Sequence, residues 1–164
     1  SIKDKYRPFF RYYNDLVDPG FVRFLEIYEE LLPSAYEWPV HLVHGDMNPA
    51  NILFSHKVPV CYLDFEEPCI CLGLYDICYC ALNILIEGFD SFKQRDWFNL
   101  FSALIDGYNS VTRLANTEIR NLLPVMCFIL IQRIAYCVAV AHKPSIVLSE
   151  SVFKWITSNI PKMM

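Results

Sequence analysis

Three polar side chains, Asp46, Asn51 and Asp64, are spaced so that together they could serve phosphoryl transfer. That reaction leaves a protein little covalent work: it needs a carboxylate to orient the acceptor hydroxyl and oxygen ligands to hold Mg²⁺ against the nucleotide phosphates. Asp46, within His44-Gly45-Asp46-Met47-Asn48-Pro49-Ala50-Asn51, is placed for the first task. Asn51, five residues further on, and Asp64, at the head of Asp64-Phe65-Glu66, are placed for the second. Mg²⁺ suits such a pair because it takes hard oxygens, keeps several waters and shares its shell with substrate phosphates.

The elements around these residues follow from short apolar runs. Leu42-Val43 and Ile52-Leu53-Phe54 flank the loop, and Val58-Pro59-Val60-Cys61-Tyr62-Leu63 is joined to the second run through the polar turn Ser55-His56-Lys57. The pattern predicts a hairpin with acids at its ends. The loop leaves one strand at His44 and enters another at Ile52, and Asp64 falls where the third strand stops.

The five-residue offset from Asp46 to Asn51 matches that between the base and the metal-binding Asn of a protein-kinase catalytic loop, and Asp64 stands where such enzymes carry the Asp of Asp-Phe-Gly. The stretch from Val43 to Asp76 resembles the aminoglycoside phosphotransferase and choline kinase-like superfamily. Its marks are His-Gly-Asp, four residues, Asn, Ile-Leu-Phe, then Asp-Phe-Glu after a hairpin. Glu66, in place of the protein-kinase Gly, and Tyr75-Asp76-Ile77 at the opening of the next helix both fit this superfamily. His-Gly-Asp, where choline kinases usually carry His-Asn-Asp, leans toward its aminoglycoside, homoserine and fructosamine kinases. The resemblance implies a protein-kinase-like C-terminal lobe in which Asp46 is the catalytic base and Asn51 and Asp64 are Mg²⁺ ligands. It also implies that Asp76 braces the catalytic-loop backbone, that His44 is structural, and that ATP or GTP is the phosphoryl donor. The acceptor pocket would be built by the helices after Asp-Phe-Glu, with Glu66, Glu67, Asp90 and Asp106 as candidate contacts for a cationic acceptor.

Each residue taken singly has a plainer reading. Asp and Asn in loops commonly form turns, and Pro49 beside Asn48 is a turn signal. An acid such as Asp76 in a first helical turn also stabilises the macrodipole, and Asp90 and Asp106 read as solvated acids. It is the combination that favours catalysis. A kinase further needs a glycine-rich flap and a strand lysine from a separate N-terminal lobe. Neither is present: only Lys3, Lys5 and Gly20 of these types precede His44, and no two of the five glycines lie closer than fifteen residues. The expectation is therefore the C-terminal portion of a longer kinase, a single domain over residues 1–164 with its nucleotide lobe missing and inactive alone. The alternatives are a non-catalytic kinase-like binding module or one half of a split kinase.

The composition fits a globular domain: 164 residues, 54% hydrophobic and 15% aromatic, net charge −4. A chain of this size buries roughly 68–70% of its unfolded surface. The apolar richness predicts exposed apolar surface and self-association. Scattered lysines and arginines give no basic stripe for nucleic acid and no polybasic cluster for anionic lipid. An odd count of seven cysteines, with no secretory signal and with nucleotide-handling motifs, indicates reduced thiols and a cytoplasmic location. Cys69, Cys71, Cys78 and Cys80 form two Cys-x-Cys pairs, but Cys78 and Cys80 on a helix would point about 200° apart, so buried small hydrophobes are favoured over zinc, with Cys61 alternating on its strand.

Helices dominate the rest. Phe21, Phe24, Leu25, Tyr28, Leu31 and Leu32 recur at helical spacing before Pro33, and the aromatics of Tyr6 to Tyr13 suggest a docked segment. Further helices are expected over 75–87 and about 94–108. Thr117 is a candidate N-cap ahead of the apolar run 122–141, with Arg120 outward, and Ser149 a candidate cap of the last helix. The run approaches membrane-span length, but Arg133 at its middle, costing roughly 2.5–3.5 kcal/mol on insertion scales, favours a buried core helix. Arg133 then needs a carboxylate partner. The fold class is α+β, mainly helical, with a small catalytic β-hairpin.

Overall fold

A computed structural model describes residues 39–66, 68–91 and 94–159, with the side chains of residues 94, 95, 138 and 139 excepted. The expected helix over 21–32, the N-terminal aromatics and Glu67 lie outside the described residues. Among the described residues, strands β1 (Val40–Val43), β2 (Ile52–Ser55), β3 (Val58–Tyr62) and β4 (Cys69–Leu72) precede five helices: α1 (Tyr75–Gly88), α2 (Gln94–Val111), α3 (Asn116–Arg120), α4 (Leu122–Ala139) and α5 (Lys143–Asn159). The chain is α+β and mainly helical, as expected. The described residues up to Met126 belong to one compact unit and those from Cys127 onward to a second.

Strands β2 and β3 form the expected antiparallel hairpin, running from Ile52↔Tyr62 to Ser55↔Val58 with an irregularity between Leu53 and Phe54. Its turn holds His56 at φ 49° and Lys57 at φ 67°. Two successive left-handed residues match the right-handed twist of the flanking strands. Strand β1 pairs not with its sequence neighbours but with β4, in the register Val40↔Leu72 to Val43↔Cys69. Strand β4 was not anticipated, because the Cys-x-Cys run is short and its ladder joins residues some thirty positions apart. Both ribbons expose large apolar side chains: Leu42, Ile70, Leu53, Phe54, Val60 and Tyr62 are all well exposed.

In the first unit the core is built by α1, whose Ile77, Cys78, Ala81, Leu82, Leu85 and Ile86 are buried at helical spacing. Trp97 of α2 is fully buried, donates from Nε1 to the Ala81 carbonyl at 2.9 Å and stacks on Phe101 at 5.0 Å. The indole thus packs one helix on another without leaving its own donor unpaired. In the second unit, Ala141 just beyond α4 stands at φ 56°, and the His142 N–H donates to the Cys137 carbonyl at 2.8 Å. That six-residue closure satisfies a terminal carbonyl, although the left-handed position usually holds glycine.

Several expectations require correction. Thr117 is not a cap but sits inside α3. Glu118 caps that helix by accepting from the Ala115 N–H at 2.9 Å, and Asn121 turns the chain by donating to the Thr117 carbonyl at 2.6 Å. Arg120 is exposed as expected, and α4 begins at Leu122 with Pro124 in its first turn. Ser149 does not cap α5. It lies within that helix, fully buried, and its Oγ has no partner among the described residues. The helix starts six residues earlier because His142 and Ser145 bond at 2.7 Å across its first turn. Among the described residues no carboxylate meets the buried Nε of Arg133. Cys78, Cys80, Cys127 and Cys137 are buried, but Cys61 and Cys69 are exposed and Cys71 only half-buried, because both ribbons present faces to solvent. No helix of the described residues is long and apolar enough to cross a membrane.

Two outcomes follow for stability. Trp97→Ala should cost about 3–5 kcal/mol in denaturant unfolding, the usual penalty for emptying a large aromatic site. Burial pushes the Cys127 thiol up to about 12 from its ordinary value near 9. Above about pH 9 only the unfolded chain sheds this proton, so the group's contribution is complete below that pH and is lost toward about pH 12, at up to about 1.4 kcal/mol per pH unit. Denaturation midpoints measured from about pH 8 to 10.5 should fall less steeply in Cys127→Ala.

Candidate active site

The site is the turn between β1 and β2, and its form follows from where its backbone hydrogen bonds go. β1 ends at buried Val43, and Gly45 at φ 86° turns the chain, a conformation that costs glycine little. The N–H groups of His44 and Gly45, past the end of the ladder, donate to the two carboxylate oxygens of Asp76 at 2.7 and 3.1 Å. Asp76 occupies the first turn of α1, so one carboxylate serves both the loop and the helix's positive end. Further along, Asn48 Oδ1 accepts from the Ala50 N–H at 3.1 Å and starts a 3-10 turn over Pro49–Asn51, with Pro49 at a position where no N–H is needed.

Asn51 closes the loop onto Asp46. Its Nδ2 donates to the Asp46 carbonyl at 3.0 Å and to Asp46 Oδ2 at 3.1 Å. With the amide nitrogen so engaged, its Oδ1 is left for another partner. The Asn51 carbonyl accepts from the Leu63 N–H at 2.8 Å, which ties the loop to the segment leaving β3. His44, buried, spans the same two pieces: Nδ1 accepts from the Asp46 N–H at 3.3 Å, Nε2 meets the Leu63 carbonyl at 2.8 Å, and the ring lies 4.2 Å from that of Phe65. An acceptor at Nδ1 and a donor at Nε2 together specify the neutral imidazole with its proton on Nε2.

Asp64 follows β3 at φ 64°, a left-handed conformation that an Asp tolerates better than most residues and that concentrates at functional positions. Its carboxylate is exposed and has no hydrogen-bond partner among the described residues. Asn51 Oδ1 and the Asp64 carboxylate are hard oxygen donors, the set that suits Mg²⁺ completed by phosphate oxygens and water. Among the described residues no three His, Cys, Asp or Glu side chains gather as a self-sufficient metal cage. Around the loop, burial and then the neighbouring Tyr79 push the Tyr75 phenol far above its ordinary range, so it stays neutral beside Asp76.

His44, Asp46, Asn51 and Asp76 are therefore joined by direct hydrogen bonds, and Asp64 lies one residue beyond Leu63, which bonds to both His44 and Asn51. Glu66, Asp90 and Asp106 are exposed, and no hydrogen bond joins them to this network. Glu67 is outside the described residues. The Leu63 backbone and Phe65 ring went unnoticed in the sequence, since a carbonyl leaves no residue-type signal and a Phe beside Asp64 reads equally as core.

Comparison with known proteins now decides the family. Residues 6–114 match the phosphotransferase enzyme family, APH. The chain belongs to that family. The superfamily resemblance carried by its motifs thus extends over residues 6–114. Within the APH phosphotransferases, a homoserine kinase of Gluconacetobacter diazotrophicus is 32% identical over 122 residues, covering 68% of this chain and 35% of that protein. Homoserine kinases of Allorhizobium ampelinum and Brucella anthropi are 32% and 30% identical over 119 and 116 residues, covering 69% and 68% of the chain and 34% and 33% of their own lengths. The chain spans about a third of the length of these curated relatives. No solved structure is significantly similar to it.

Removing the Asp76 carboxylate should strip two N–H groups of their acceptor. Asp76→Ala is expected to lower stability by about 2–3 kcal/mol, the scale of lost charge-assisted hydrogen bonds. Amide exchange at His44 and Gly45 should accelerate more than exchange in α2.

Proposed function

We propose that the protein containing this chain transfers the terminal phosphoryl group of ATP, or GTP, to a hydroxyl of a small molecule. The observation that carries the reading is the clamp of Asn51 Nδ2 on Asp46, which orients a carboxylate and frees an amide oxygen in one arrangement. In this reading Asp46 orients the acceptor hydroxyl for in-line attack and accepts its proton, and exclusion of alternative rotamers by Asn51 keeps the carboxylate ready. Asn51 Oδ1 and Asp64 would hold Mg²⁺, which when bound neutralises charge on the phosphates. His44 and Asp76 position the loop and do not touch substrate.

This chain would supply the catalytic and acceptor-binding lobe of a kinase-like fold, and a nucleotide lobe from the remainder of a longer polypeptide would cover exposed apolar faces of its ribbons, that of Leu42 and Ile70 on β1–β4 and that of Phe54 on β2–β3. The chain alone would then be inactive and prone to self-association through those faces. The homoserine kinase names of its relatives favour a hydroxy amino acid as acceptor, with Glu66 and Glu67 as candidate contacts for its ammonium group.

The test is phosphorylation of homoserine, choline and an aminoglycoside by the complete protein with MgATP. Homoserine should be the preferred acceptor, and Asp46→Asn should reduce kcat by about 10²–10⁴, the range for a lost general base. Asp64→Asn should reduce turnover at least as far and raise the Mg²⁺ concentration required. Wild-type activity retained in both variants would sink the assigned roles, whereas binding without transfer by the wild type would favour the alternative, a non-catalytic kinase-like module.

A further inference from the structure

Cys69 and Cys71 carry thiols that phosphotransfer does not use. Side chains alternate along a strand, so these two residues share one face of β4 while Ile70 and Leu72 share the other. Cys69 is exposed and Cys71 half-buried, and the ladder sets them opposite Val43 and His41 respectively. Two strand residues span about 6.5–7 Å, at or beyond the upper limit for the Cα atoms of a disulfide, whose Cβ atoms must also approach to about 3.8 Å. A direct sulfur–sulfur bond would therefore pucker β4 against β1. One larger atom placed between the sulfurs lifts that restriction.

We propose that Cys69 and Cys71 form a bidentate dithiol site for a soft, thiophilic centre of the trivalent-arsenical class. The other five cysteines do not pair in this way. Cys61 is exposed but faces Leu53 across its hairpin, Cys78 and Cys80 are buried on a helix at positions that diverge, and Cys127 and Cys137 are buried. Although His41 stands opposite Cys71, among the described residues no three His, Cys, Asp or Glu side chains gather as a metal-holding group, so the pair suits a two-thiol ligand and not a zinc cage. Burial, with Cys69 and Asp76 nearby, pushes the Cys71 thiol up, so it is protonated at neutral pH. An arsenoxide fits that protonation state. Its As–O double bond breaks, two As–S bonds form, and the oxygen leaves with both thiol protons as water, with arsenic remaining trivalent.

The test uses the whole chain and phenylarsine oxide. After washing with excess monothiol, intact mass should show one arsenical retained, released by a dithiol such as dimercaprol. Peptide mapping should show Cys69 and Cys71 protected together from iodoacetamide, a readout on the unaltered protein that needs no variant to fold. Cys69→Ser and Cys71→Ser should each weaken retention by about tenfold or more, since the second bond to arsenic is intramolecular, while Cys61→Ser leaves it unchanged. Absence of a monothiol-resistant adduct, protection of another pair, or undiminished retention in the Cys69→Ser/Cys71→Ser double variant would overturn the assignment.

Discussion

The two hydrogen bonds from the His44 and Gly45 amides to the Asp76 carboxylate are the constraint on which the site depends. A chain that leaves a strand and reverses through a glycine exposes amides that have lost their ladder partners, and half-buried amides need acceptors. A carboxylate supplies two at once, and its charge makes both bonds stronger than neutral ones. Since Asp76 begins α1, the loop is referenced to the helix that carries the core of its unit, from Ile77 to Ile86. The placement of Asp46 is thereby inherited from packing and does not rely on the loop's own stiffness.

From that anchor the order spreads through a short chain of polar contacts. Asn51 grips Asp46 at backbone and side chain, Leu63 bonds to Asn51 through its amide and to His44 through its carbonyl, and His44 returns to the Asp46 amide. Such networks polarise along their length and penalise any member left unpaired. The reference extends to the end of β3, where Asp64 adopts its left-handed conformation directly after Leu63. Among the described residues the network leaves two oxygen groups unengaged, Asn51 Oδ1 and the Asp64 carboxylate, while the side chains that support them are committed.

Both β ribbons contrast with this interior. They hold the loop ends in register by backbone pairing while leaving Leu42, Phe54, Val60 and Ile70 open to solvent. The same openness brings Cys69 and Cys71 to the surface on one face, so a motif that composition would consign to the core becomes accessible to reagents. Exposure here is a property of two-stranded ribbons, each too narrow to bury a face by itself.

The arrangement of the loop was legible in its sequence because it is local. The spacing of Asp46, Asn51 and Asp64, the polar turn at Ser55-His56-Lys57 and the helix beginning at Tyr75 all depend on residues within a few turns of one another. Asp76 could be assigned only through family resemblance, since an acid in a first helical turn has a sufficient local explanation in the dipole. What the tertiary structure decided lies at long range or between equivalent local choices. The β1–β4 ladder joins segments whose hydrophobic patterns do not specify each other, and Leu63 contributes its carbonyl, a group every residue has. Thr117 and Ser149 have good capping side chains, yet Glu118 and the His142–Ser145 pair start those helices instead. A cap is chosen by which atoms the folded backbone brings within reach, and residue type alone does not carry that information.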